Sequence, residues 1–101
     1  RANIIVFDDI KFLTDDELKL VVSDINLEKL ATSLVNVEET TYKKIDQNLP
    51  KSSKDMIKQF LDLKAKSVSK PEIEAAQDYI LNMIAKMESE GKISLKSRVK
   101  G

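Results

Sequence analysis

The chain has 101 residues, which bounds it to one domain, and 42% of them are apolar, enough for a small core. Lys and Arg total 17 and so do Asp and Glu, so there is no net charge to drive bulk attraction to phosphate. Cysteine is absent, which excludes disulfides and thiolate chemistry, and no apolar run approaches the roughly 20 residues needed to cross a bilayer.

The chain starts at Arg1, carries no signal peptide and reads as an excised domain with cytoplasmic residence expected. Its opening segment, residues 1–13, contains Ile4-Ile5-Val6-Phe7-Asp8-Asp9-Ile10, an apolar run that turns acidic. Helix signals follow. Thr14-Asp15-Asp16-Glu17 is a capping box, with Leu18, Val21, Val22 and Ile25 at helical spacing behind it. Asn26 caps a second predicted helix with Leu27, Leu30, Ala31 and Leu34 as its buried stripe. Asn36, with Glu39 three residues on, marks a third start, anchored by Tyr42 and Ile45. The Thr40-Thr41 pair lowers its helix propensity slightly, because β-branched side chains lose rotamer freedom.

Pro50 fits the first turn of a fourth helix, where its missing N–H is not needed. Met56, Ile57, Phe60, Leu61 and Leu63 give that helix a wide apolar face. Ser67-Val68-Ser69 reads as a loop. Ser69-Lys70-Pro71-Glu72 is a second capping box, opening a last helix with Ile73, Ala76, Ile80, Met83, Ile84 and Met87 in steps of three and four. Gly91 ends it, and Ile93-Ser94-Leu95 docks as a short extended piece. Lys96, Arg98 and Lys100 make residues 96–101 a basic tail, expected to be loose. The predicted fold is therefore all-α: a compact bundle of about five to six short helices over residues 1–95.

The chemistry points away from catalysis. Without His or Cys the commonest general base and the soft metal ligands are missing, so no catalytic, metal or cofactor site is expected. The acid pairs Asp8-Asp9, Asp15-Asp16 and Glu38-Glu39 sit at helix starts, where the dipole favours negative charge. Ser52-Ser53 has no base partner, and Met56, Met83 and Met87 read as core packing. Only two glycines exist, Gly91 and Gly101, so no glycine-rich phosphate loop can form.

The opening resembles the Met-Phe-Val-Phe-(Glu/Asp)-(Asp/Glu)-Ile/Leu segment that leads into the C-terminal domain of FliG, the bacterial flagellar motor switch protein. The likeness extends along the chain. Leu20-Val21-Val22, Leu30-Ala31, Asn48-Leu49-Pro50-Lys51, Asp55-Met56-Ile57-Lys58 and Glu90-Gly91-Lys92-Ile93 follow the family's order, without a gap up to about Leu61. The resemblance implies a helical unit at the rim of the cytoplasmic rotor ring. Its partners would be other rotor proteins and the cytoplasmic loop of the stator, close to the membrane without insertion and without nucleic acid.

It also implies where the torque charges should lie, and here the chain departs from the family. Those positions fall at Val35, Ser52, Gln59, Phe60 and Ser69, none of them charged. Nearby charges remain at Lys51, Lys54, Asp55, Lys58, Asp62 and Lys64. One reading lets these take over the contact. The other is a divergent copy that has lost torque generation and docks another protein through this helix. Phe60 discriminates, being either an outward aromatic spot or part of an enlarged core. A helical DNA-binding module is the alternative of another class, disfavoured by the charge balance and the absence of an Arg-rich recognition helix. An unrelated protein-interaction domain is a further alternative.

Overall fold

Each helix begins where a side chain or a proline satisfies or removes orphan N–H groups. The computed structural model describes residues 5–95. Among them are five α-helices: α1 (Asp15–Ser23), α2 (Leu27–Ser33), α3 (Glu39–Asp46), α4 (Lys51–Lys64) and α5 (Lys70–Ser89). Two short 3₁₀ helices, Phe7–Phe12 and Ala65–Ser67, complete them. The all-α bundle expected from the sequence is what forms.

Both capping boxes close. The Thr14 hydroxyl accepts from the Glu17 N–H at 3.1 Å, and Glu17 Oε1 accepts from the Thr14 N–H at 2.9 Å. Ser69 and Glu72 repeat the exchange at 3.3 and 2.9 Å. Asn26 accepts from the N–H groups of Glu28 and Lys29, as its position before α2 requires. Gly91 takes a positive φ of 79° past the end of α5, where any side chain would be strained.

The third start differs from expectation. Glu38, not Asn36, stands at the N-cap of α3, and its own side chain makes no cap. The capping oxygen comes from far away: Asp8 Oδ1 accepts from the Glu38 N–H at 3.1 Å. Asn36 instead accepts from Gln77 Nε2 of α5 at 3.0 Å. Pro50 occupies the N-cap of α4 rather than a helical position. The opening segment, predicted only as a lead-in, winds into a 3₁₀ helix that packs against α3 and α5. The predicted loop at 67–69 is shorter, because α4 runs on into the Ala65–Ser67 turn.

The core is assembled around α2, which packs against both α4 and α5. Leu13, Leu18, Leu30, Ile45, Ile57, Ile80 and Leu95 are its fully buried members. The stretch after Gly91 docks as expected, with Ile93 and Leu95 buried. Its backbone is held by carboxylates: the Ser94 N–H donates to Glu17 Oε2 at 3.0 Å and the Leu95 N–H to Glu88 Oε2 at 2.8 Å. The basic tail, residues 96–101, lies outside the described residues.

Candidate protein-binding surface

Helix α4 exposes most of its circumference. Only Ile57 is fully buried, at 1% exposure. The wide apolar face expected from the sequence is therefore not all core. Met56 is 57% exposed and Leu63 73%, so Met56 is no core methionine, in contrast to buried Met87 and half-buried Met83. The reason is geometric: at 3.6 residues per turn, Met56 and Leu63 lie one step further round the helix than Ile57 and Phe60. The neighbouring helices cover only the Ile57 side.

The surface is consequently banded. On the flank facing α3, Lys54, Asp55, Lys58, Leu61 and Asp62 line a groove with Tyr42 and Asp46. Burial, then the nearby charges of Asp46 and Asp62, push the Tyr42 hydroxyl above its ordinary range. Across the outward face, Lys51 and Lys58 run beside Asp55 and Asp62, followed by the neutral pair Ser52 and Gln59. The last band is apolar: Leu63 and Met56, then Phe60 at the edge of α2. Among the described residues, none of the α4 lysines or aspartates enters an ion pair within 4 Å.

Phe60 takes neither of the two extremes. Its ring is half-buried and packs against the core cluster while lining the surface grooves between α2, α4 and α5. Lys64, one turn on, places its ammonium 6.0 Å from the ring centroid. Of the other candidate positions, Ser52 and Gln59 are exposed on α4. Val35 and Ser69 are not on this helix. Val35 is half-buried in the link beyond α2, and Ser69 caps α5 with its hydroxyl. The sequence reading missed Lys29, which lines one of these grooves together with Phe60 and rests its ammonium 5.0 Å from the Tyr79 ring centroid. Its spacing from α4 carries no local signal.

Comparison with known proteins decides the family. The family model of the FliG C-terminal domain matches residues 1–95. The chain belongs to the FliG C-terminal domain family. Among similar curated proteins are flagellar motor switch proteins FliG of Aquifex aeolicus (34% identical over 97 residues) and Thermotoga maritima (30% over 93). That of Borreliella burgdorferi is 29% identical over 93 residues. These alignments cover 94%, 92% and 92% of this chain but only 29%, 28% and 27% of the respective relatives. The chain thus spans under a third of the length of the FliG proteins it matches. A crystal structure of FliG residues 116–343 from H. pylori superposes with a TM-score of 0.83. It covers 90% of this chain and 40% of that one at 17% identity, which establishes the shared fold.

Proposed function

We propose that this FliG C-terminal domain serves in the rotor of a flagellar motor switch as a protein-docking unit that works through α4, with torque generation weakened or lost. Its partners are other rotor proteins, and the stator's cytoplasmic loop is at most a diminished one. The domain acts at the cytoplasmic face of the inner membrane. Among the described residues no helix is long and apolar enough to cross a membrane, which fits a membrane-proximal position without insertion.

The observation that carries the reading is the character of the band formed by Ser52, Gln59, Met56, Leu63 and Phe60. Where the family resemblance expects charges, the helix offers neutral polar groups beside exposed apolar ones. Exposed ion pairs contribute up to about 1 kcal/mol each and steer association. A surface without those charges loses that contribution, whereas a half-buried aromatic flanked by exposed Met and Leu suits apolar contact.

The test is a graft of this chain in place of the C-terminal domain of the switch protein in a motile bacterium. Assembly of flagella is scored first, then rotation of tethered cells. Assembled but paralysed flagella are the expected result. Rotation would overturn the loss of torque and assign the stator contact to Lys51, Lys54, Asp55, Lys58 and Asp62. Failure to assemble would remove the domain from the rotor.

A further inference from the structure

Two rows of side chains run along α4 in the same steps of four, three and four residues, one position apart. One is Lys51, Asp55, Lys58 and Asp62; the other is Ser52, Met56, Gln59 and Leu63. Such steps keep each row on one side of a helix, so the rows lie next to each other. Every member of both is exposed. Leu63 at 73% and Met56 at 57% are the most exposed of the large apolar residues among those described, and both fall in the second row.

The first row alternates in charge: positive, negative, positive, negative. Run backwards, it presents the opposite sign at every place. A partner segment of one sign would meet attraction at two positions and repulsion at the other two. A row of the same spacing and alternation, running the other way, meets attraction at all four. The chain itself carries that row. Its charges are still open: among the described residues none of the four enters an ion pair within 4 Å. The groove behind the row does not tip its balance, since Lys54 and Asp46 there are of opposite sign.

We infer that α4 pairs antiparallel with α4 of a second copy of this chain, about a two-fold axis, with Ser52, Met56, Gln59 and Leu63 as the seam. The inference rests on the protein-docking reading of α4 and names its partner. A two-fold normal to the plane of two antiparallel helices leaves each flank on its own side, so the charged row meets its own copy. Lys51 then opposes the second copy's Asp62, and Asp55 opposes its Lys58, each pair occurring twice. Phe60 of each copy closes the opposite flank. In a parallel pair the charged row would face the Phe60 flank and lose its partners. An apolar seam with charged margins that fix orientation is the logic of paired helices in general. A helix of 14 residues is about 21 Å long. One such face per copy falls short of the roughly 1,200 Å² of a stable interface, so the dissociation constant is expected on the order of 0.1 mM.

Sedimentation equilibrium from micromolar to millimolar concentration reads the dimer, which should weaken as salt rises. Lys51→Glu with Lys58→Glu makes the charged row wholly acidic, and Asp55→Lys with Asp62→Lys makes it wholly basic. Each double variant alone should self-associate about tenfold more weakly at low salt, and an equal mixture of the two should dimerise again. All four positions are exposed, so the fold should survive, as circular dichroism will check. Leu63→Asp, which leaves the charged row intact, should weaken the dimer as well. The chain has no cysteine, so a nitroxide attached through Ser52→Cys reports direction. On one copy it should broaden the Leu63 amide of a second, nitrogen-15-labelled copy. Broadening at Ser52 instead overturns the antiparallel pairing. A chain that stays monomeric at millimolar concentration, or double variants that associate as well as the parent, overturns the inference. If that happens while grafted flagella assemble, the second copy alone is ruled out and the docking reading stands. If the dimer forms while grafted flagella fail to assemble, the pairing stands and the rotor reading falls.

Discussion

The Thr41 hydroxyl donates a 2.7 Å hydrogen bond to Asp8 Oδ1 across 33 residues of sequence. Thr41 is completely buried, and the same carboxylate oxygen accepts from the Glu38 N–H. One oxygen therefore caps α3 and pins the opening 3₁₀ helix to it. Thr41→Val removes the donor from a buried site and is expected to cost about 1–2 kcal/mol. Asp8→Ala should cost a similar amount, and the double variant less than the sum. Urea denaturation of the four proteins gives the coupling, and strict additivity would mean that the contact contributes nothing.

The helix starts make a second prediction. Thr14→Ala and Ser69→Ala should each destabilise by about 1 kcal/mol, since each leaves an N–H of the first turn without its acceptor. Asn36→Ala should leave the start of α3 unaffected, because Asn36 does not cap it. Amide exchange in the first turns of α1, α3 and α5 separates these outcomes.

The acid limb of the stability curve should be set in part by Asp15. Hydrogen bonds from the side chains of Asn48, Gln47 and Lys44 hold its carboxyl below the usual range. Its folded value is depressed, so its contribution is present above the unfolded value and fades as pH falls through the folded one. Asp15→Asn should flatten stability against pH in that acidic window, measured by denaturation midpoints. Lys11 acts with the opposite sign. Its hydrogen bond to Glu38 raises it, so its contribution is complete below the unfolded value and is lost as pH climbs through the raised one.

On α4, burial separates folding from binding. Ile57→Ala should cost about 2–5 kcal/mol, as truncation of a wholly buried aliphatic does. Leu63→Asp should change stability by no more than about 0.5 kcal/mol and still abolish apolar docking. Phe60→Asp falls between: docking is lost and some stability with it, because half the ring packs on the core. Thermal denaturation beside the domain graft distinguishes the three.

Local rules made much of this fold legible. A cap and the side chain it serves lie within three residues, so the starts of α1, α2 and α5 were readable from Thr14, Asn26 and Ser69. The buried stripes were readable for the same reason. What stayed hidden depends on partners distant in sequence. Nothing around Glu38 signals that Asp8 will cap it, and nothing around Asp15 signals Asn48. Met56 and Leu63 were misplaced because apolar content shows where a helix could be buried, whereas its neighbours decide how much is. The candidate surface was legible as a helix and a set of charges. Its banding, and the groove that Lys29 shares with Phe60, needed the packing of α2 against α4.

The docking of Ile93 and Leu95 bears on how the domain is made. Leu95 contributes a wholly buried side chain, and the Ser94 N–H reaches back to Glu17 in the first turn of α1. A ribosome releases the N-terminal part first. While α1 to α4 emerge, the surface destined for Leu95 stays open and Glu17 has no Ser94 to hold. Helices can form turn by turn during translation, but the site of Leu95 in the core can be filled only after residue 95 has cleared the exit tunnel. The nascent domain is thus exposed to misassociation until its last described residues arrive.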